Sequence, residues 1–291
     1  MTEPSSTSSK ESPAGHAEDG GTISTERSSV QSFWSYLNTE VDPAWCTAPL
    51  AAYCFMTGFI DAISFSAVFV WCGFQTGNFA QLALALARLF ETNNPSTGSL
   101  QDTSFHIADQ QALVSLLSFN LGAFTGRIGD RMGPHTRIWL ILGTFIQTLF
   151  TMAAAVTIWK SGSLSIADDR GDPSWSNALS FICLAFMSAS LGCQGILGKR
   201  LNTQFTTTIV LTTVWVELVT DPKLFMHQRV KTRDHKLIAA FFLFLGAFVS
   251  RAILAAVGAR GALGVGTGVR LLITFSWLFV PGKKAQPKQA S

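Results

Sequence analysis

Charge is scarce in this chain. Only 13% of its 291 residues are Asp, Glu, Lys or Arg, against about 25% in an ordinary soluble domain. So little charge cannot cover the surface of a water-soluble globule of this size. Cysteine is equally uninformative for chemistry: Cys46, Cys54, Cys72, Cys183 and Cys193 form no CxxC pair and sit in or beside apolar blocks. That odd, dispersed set excludes a disulfide framework and a zinc site and leaves packing as the role of the thiols. The five histidines, at 16, 106, 135, 227 and 235, form no HExxH. There is no GxSxG and no phosphate-binding loop. Enzymatic signals are therefore missing, and no metal or cofactor is expected. The formal net charge of +3 lies in basic residues placed between apolar blocks, which fits a membrane surface and not nucleic acid.

What the chain does contain is apolar length. Hydrophobic residues make up 48% of it, and mean hydropathy is +0.31. A helix needs about 20 mostly apolar residues to cross the hydrocarbon core. Residues 47–70, 111–129, 138–159, 177–197, 237–257 and 262–280 qualify. Two further blocks, 71–90 and 205–219, are weaker, the first because of Gln75, Asn78 and Arg88, the second because it is short and threonine-rich. The expectation is an all-α integral membrane protein with six to eight transmembrane helices, in which the lipid bilayer is the first partner. Residues 1–46 read as a disordered Ser/Thr-rich tail with no apolar core of the signal-peptide kind. Residues 47–280 form the membrane domain and 281–291 a basic tail.

Basic residues orient such a chain. If the two weak blocks do not cross, thirteen Lys and Arg lie on one side, against Arg88, Lys160, Arg170 and Arg260 on the other. Eight crossings reduce the contrast to eleven against six. Six spans with both termini cytoplasmic is the preferred topology. A short internal repeat, Leu121-Gly-Ala-Phe124 with Arg127 and Leu245-Gly-Ala-Phe248 with Arg251, suggests two pseudo-symmetric halves, about 47–159 and 177–280. These residue types are common in membrane helices, so coincidence competes with repetition. Three spans per half would make the repeat inverted, as in many transporters.

Polar residues inside apolar blocks are the candidate site. Asp61, in Gly58-Phe-Ile-Asp61-Ala, is a carboxylate deep in the first span. It either binds or relays an ion or proton, or serves structure by bonding Ser64, a backbone break, Arg251 or Arg270. Gln75-Thr76-Gly77-Asn78 opens the next block, where Thr76 or Asn78 can cap a helix and Gly77 can take a turn conformation. A tight turn between helices would need the same residues. Gln194 and Glu217 are the second-half candidates, with Glu217 preceded by the threonines 206–208, Thr212 and Thr213. Glu217 lies between Trp215 and Val219. Asp61, Thr76, Gly77, Asn78, Gln194 and Glu217 would thus hold a small solute, ion or proton between the halves.

The order of Gly58-x-x-Asp61-Ala, Thr76-Gly77-Asn78, Gly192-x-Gln194 and a threonine run before Asp221-Pro222 resembles the YoaK-like family of transmembrane proteins, across residues 51–280. The resemblance implies a multi-pass fold and little chemistry. Thr212-Thr213 departs from the Thr-Gly or Thr-Ser expected in the second half. Gly126-Arg-Ile-Gly-Asp130-Arg131-Met-Gly133, with Arg137, is similar to the loop signature of major facilitator transporters. There, acidic and basic residues form a cytoplasmic charge network. Arg127, Asp130, Arg131 and Arg137 would be its members here, although a basic helix junction at the cytoplasmic interface requires no network. The function expected is transport of a small solute or ion. The rival is a non-transporting scaffold or accessory subunit. An intramembrane enzyme using two acids is the third reading.

Overall fold

A computed structural model describes residues 31–91, 104–167, 174–201, 203, 211–226, 228 and 230–283. The expected disordered tail lies, for residues 1–30, outside that set, as do Thr206–Thr208 and the basic residues after Lys283. The chain divides into two units at Asn38. In the first, residues 31–38 are helical, and Asn38 Nδ2 donates to the Trp34 carbonyl one turn back.

The second unit begins at Thr39, earlier than the 47 expected from hydropathy. Its entry is tied by backbone bonds: Val41 N–H donates to His135 O (2.9 Å), Asp42 N–H to Pro281 O (2.9 Å) and Lys283 N–H to Glu40 O (2.8 Å). Asp42 caps the single turn Pro43–Trp45, its carboxylate accepting from Ala44 N–H. These bonds place the start of the unit, the turn before Arg137 and the C-terminal end together. Apolar periodicity carries no trace of them.

Helix α1, Thr47–Val68, stops where Phe69 adopts the left-handed conformation (φ 57°) and its N–H reaches Phe65 O. A turn leads to α2, Gln75–Ala87, which at 13 residues is about 20 Å long and falls short of a span of about 30 Å. Helix α3, Ile107–Phe124, opens with a reciprocal cap between His106 and Asp109 and is followed after Thr125 by α4, Gly126–Met132. Then come α5, Arg137–Ser161, and α6, Ala178–Arg200, the latter capped by Asn177 accepting from Ser180 N–H. The nine-residue α7, Leu211–Val219, precedes α8, Lys231–Ser276.

Helix α8 is two helices in physical terms. Gly258 (φ 73°, ψ 177°) breaks it, in a region of backbone space that only glycine enters cheaply. Ser165 Oγ accepts from Ala259 N–H (2.8 Å), capping the second arm. A straight helix would hold Gly246 and Gly266 about 30 Å apart. Yet a Cβ at Gly246 would strike Phe55 O, and one at Gly266 would touch Phe59 and Met56, neighbours on α1. The chain therefore reverses at Gly258, and both arms pack on α1.

Among the described residues, five helical runs are long and apolar enough to cross a membrane: Thr47–Val68, Ile107–Met132, Arg137–Ser161, Ala178–Arg200 and Lys231–Phe279. The protein is thus an all-α membrane protein. The number differs from the six to eight expected because residues 237–257 and 262–280 fall in one run despite the break at Gly258.

Two helix contacts are so close that backbone meets backbone. On α1, a Cβ at Gly58 would lie 2.0 Å from Leu243 O and 3.0 Å from Ala247 N. On α6, a Cβ at Gly192 would lie 2.0 Å from Phe119 O and 2.9 Å from Ala123 N. A Cβ added at Gly246 would lie at the same 2.0 Å from Phe55 O, and one at Gly122 at 2.0 Å from Ala189 O. The remaining core, including Trp139, Trp277, Tyr53 and Phe59, fills the space between α1, α5, α6 and the second arm of α8.

Candidate functional site

The site begins with Asp61, which is 1% exposed. After Phe69 ends α1, the backbone must reach α2 while buried, and its N–H groups there need acceptors. Asp61 Oδ1 supplies one, accepting from Cys72 N–H and Gly73 N–H at 2.8 Å each. Oδ2 has no hydrogen-bond partner and lies against Gly73, where a Cβ would stand 2.8 Å from it. Asp61 is therefore half committed to structure and half free. Of the structural partners offered by sequence, the Asp61 side chain takes the backbone break and neither Arg251 nor Arg270; Ser64 Oγ donates to the Asp61 backbone carbonyl (3.3 Å).

The α1–α2 turn is tied to α3 and α6 by a polar knot. Asn78 Nδ2 donates to Trp71 O (2.6 Å), to Gln75 Oε1 (2.9 Å) and to Ser115 Oγ (3.1 Å). Gln75 Nε2 donates to Cys72 O (2.7 Å), and Ser115 Oγ reaches Ser188 Oγ at 2.9 Å. Asn78 is buried, whereas Thr76 and Gly77 lie on the exposed side of the first turn of α2. A Cβ at Gly77 would meet only Trp71 at 3.7 Å, an ordinary contact, so that position does not require glycine.

One turn before Asp61, Thr57 links α1 to α6. Gln194 Nε2 donates to Thr57 Oγ1 (2.8 Å) and to Tyr53 O (2.9 Å), while Gln194 Oε1 is buried with no partner. Asp61 and Gln194 thus leave two unsatisfied acceptors in one stretch of the interior, joined through Thr57. Buried acceptors without donors are rare enough to call for an explanation.

A second cluster continues toward α5 and the second arm of α8. Tyr53 Oη and Thr144 Oγ1 are 2.6 Å apart, Trp277 Nε1 donates to Thr144 Oγ1 (2.9 Å), and Gln147 Nε2 lies 3.5 Å from Tyr53 Oη. Arg270, 0% exposed, donates to Gln147 Oε1 and to Ser190 Oγ (3.3 Å).

Glu217 belongs to neither cluster. Its carboxylate is half exposed on α7 and pairs with Lys236 Nζ at 2.8 Å. The structure does not bring Glu217 to Asp61: Asp61 lies beside the α1–α2 turn, and Glu217, on α7, is paired with Lys236 in the first turns of α8. The four-residue charge network is also redrawn. Asp130 pairs with Arg200 (2.8 Å), Arg127 stacks over the Phe124 ring, and Arg137 is buried and donates to Val280 O (2.7 Å). Arg200 was absent from the sequence-based set because it falls 70 residues from Asp130.

Sequence reasoning brought forward Asp61, Asn78 and Gln194 but passed over Tyr53, Thr57, Ser115, Gln147, Ser188 and Ser190. Hydroxyls and amides inside a membrane helix satisfy themselves on the preceding turn so often that these carry no local signal. Arg270 did carry one, as the lone charge of residues 262–280. Among the described residues no group of three or more His, Cys, Asp or Glu could hold a metal ion.

Comparison with curated proteins finds no match, and comparison with solved structures finds none. Residues 50–276, which hold both clusters apart from Trp277, match the family model described as Protein of unknown function (DUF1275), and the chain belongs to that family.

Proposed function

We propose that this protein is a non-enzymatic permease for a small solute or ion, working through the buried polar core between α1, α5, α6 and the second arm of α8. The observation that carries the reading is Asp61: a carboxylate 1% exposed, with one oxygen bound to the α1–α2 turn and the other unpartnered, as is Gln194 Oε1 one helical turn along, at Thr57. A free carboxylate oxygen in a membrane interior is costly unless it takes a proton or a cation. Asp61 is assigned that role, and Gln194 the second acceptor. Thr76, Gly77 and Asn78 act through the turn, with Asn78 holding it in place. Glu217 serves as a surface ion pair.

Transport needs two halves that can trade places, and several distances support such a design. The α1 residues Phe55 and Gly58 correspond to the α6 residues Ala189 and Gly192, each 134 positions on. The α3 residues Phe119, Gly122 and Ala123 correspond to Leu243, Gly246 and Ala247, each 124 positions on. Paired glycines at matching contacts are hard to attribute to common composition. With Gly258 as a reversal the chain crosses six times: α1, α3, α5, α6 and the two arms of α8. The short helices α2 and α7 do not cross, and in this topology they lie toward opposite surfaces. Each half then contains a span, a short helix and two spans in opposite orientation, an inverted repeat. The basic residues Arg131, Arg137, Arg200, Lys236 and Lys283 share one end in this topology, which is assigned to the cytoplasm together with both termini. The motif order shared with the YoaK-like proteins is part of the same reading.

The test is reconstitution of wild-type, Asp61→Asn and Gln194→Ala proteins into vesicles, with proton- and solute-flux measurements under imposed pH and voltage gradients. Wild type is expected to carry flux that Asp61→Asn abolishes and Gln194→Ala reduces. Absence of flux under every gradient, or undiminished flux in folded Asp61→Asn, favours the scaffold reading, in which these contacts only hold helices together at under about 1 kcal/mol each.

A further inference from the structure

We infer that Arg270 is a binding group for a small inorganic or carboxylate anion. The inference deepens the permease reading by naming a substrate class, and its binding component stands without that reading.

The argument is one of donor and acceptor balance. Arg270 projects from the middle of the second arm of α8 and is fully buried. Four cations among the described residues meet carboxylates, Arg88 with Asp109, Arg200 with Asp130, Arg233 with Asp234 and Lys236 with Glu217, while buried Arg137 reaches the Val280 carbonyl. Arg270 has no carboxylate within ion-pair distance. Its partners are the neutral oxygens of Gln147 and Ser190, and its Nε–H has no acceptor.

The groups around it add donors instead of negative charge. Thr144 Oγ1 gives its proton to Leu140 O (2.6 Å), so the Tyr53 hydroxyl must donate to Thr144, as the Trp277 indole N–H does. Ser190 likewise commits its proton to Met187 O (2.8 Å). The result is a guanidinium held by Gln147 and Ser190, with Tyr53 one bond further through Gln147, and with neutral acceptors only. A guanidinium does not deprotonate in proteins, and an uncompensated buried charge is destabilising by several kcal/mol. An anion within reach of Nε–H supplies both the missing acceptor and the missing charge. The neighbouring Asp61 and Gln194 cluster has the opposite imbalance, with two unpartnered acceptors, and the Tyr53 and Thr57 turn of α1 joins the two. Adjacent donor-rich and acceptor-rich sites suit co-binding of an anion with a proton or cation.

The experiment is thermal unfolding of the full-length protein in detergent, at fixed ionic strength, with sodium gluconate replaced stepwise by chloride, nitrate or formate. Wild type is expected to gain roughly 3–5 °C, saturably, with at least one of the three, and Arg270→Gln to lose that gain. Arg270→Lys keeps the charge but not the planar fork and is expected to bind at least ten-fold more weakly, so it serves if Arg270→Gln does not fold. Equal unfolding temperatures for wild type in all four salts would overturn the proposal. So would an unchanged gain in Arg270→Gln, or unchanged affinity in Arg270→Lys. Anion-dependent stabilisation without flux in vesicles would retain this site and dispose of the permease reading; flux without such stabilisation would do the reverse.

Discussion

The glycine contacts yield the sharpest test of the packing. Take Gly58→Ala and Gly192→Ala. In each, the new Cβ would sit 2.0 Å from a backbone carbonyl oxygen on the facing helix, where ordinary contact needs about 3.4 Å. The obstructing atom is backbone, so no rotamer change relieves it, and the helices must separate by roughly 1.4 Å. A gap of that size removes more than half of the dispersion energy along the contact. Overpacking costs about 3 kcal/mol at such a site, offset by about 1 kcal/mol because alanine favours helix more than glycine does. The net loss is about 2 kcal/mol for each variant, and the two should agree because the same three backbone atoms, a carbonyl O and C and the N–H nitrogen one turn on, lie nearest in both. Gly264→Ala and Gly268→Ala are the controls: nothing lies within 4 Å of a Cβ at either position, so only the helix-propensity gain of up to about 1 kcal/mol remains. Reversible unfolding in mixed detergent, followed by far-ultraviolet circular dichroism, reads all four. Stability unchanged in Gly58→Ala and Gly192→Ala, or lowered as much in Gly264→Ala, would refute the backbone-contact geometry and the pairing of halves built on it.

Other perturbations separate structural from functional roles. Asp61→Ala leaves the Cys72 and Gly73 N–H groups without an acceptor and should cost about 2–4 kcal/mol in the same unfolding assay. Asp61→Asn keeps an acceptor oxygen and should stay folded; equal losses in both would argue that the carboxylate charge, not the acceptor, holds the turn. Glu217→Gln removes a half-exposed ion pair with Lys236 and should change stability by under about 1 kcal/mol, with flux unaltered. Burial, reinforced by Asp42, pushes the Cys46 thiol up from 9.0 to about 12, and all five cysteines are buried and free. Maleimide at pH 8 should therefore label none of them until the protein is unfolded. Because the folded-state value is the higher one, the contribution of Cys46 to stability is present below pH 9 and is lost as pH rises toward 12.

Hydropathy located the long helices to within a few residues, since burial in lipid imposes one composition on every span. Thr47 is the first residue of α1 as expected, and α5 and α6 start and stop within three residues of their predicted ends. It failed where the determinant is a specific bond. The segment 39–46 looks like tail because it is polar and short, yet Val41 is 1% exposed and is held by His135 and by the strand-like bridge to Gly282. Gly58 and Gly192 appear in the sequence only as members of motifs; that each faces a carbonyl on another helix depends on tertiary placement. Asp61 was legible as a buried carboxylate, but its division between a structural oxygen and a free one was not, because the N–H groups it binds lie 11 and 12 residues away.

The balance of hydrogen-bonding groups argues for a site more strongly than any single residue does. A membrane scaffold gains nothing from leaving acceptors unpaired at Asp61 and Gln194 and a donor unpaired at Arg270, because each deficit lowers stability. Elsewhere in this core the pairing is close to complete: Ser115, Asn78 and Gln75 close on one another, and Thr144, Thr148, Thr151 and Thr274 each return a proton to the preceding turn. Within the two clusters the deficits fall on three ionisable or amide side chains, on α1, α6 and the second arm of α8, and they have opposite sense on the two sides of Tyr53. On the permease reading, these groups are left open for something that comes and goes. A proton or cation at Asp61 and an anion at Arg270 would complete both deficits at once, and their joint release would cost the protein both. Stability should therefore respond to anion and pH together: the gain from the favoured anion should change when Asp61 becomes Asn, and strict additivity of the two effects would mean that the clusters act independently.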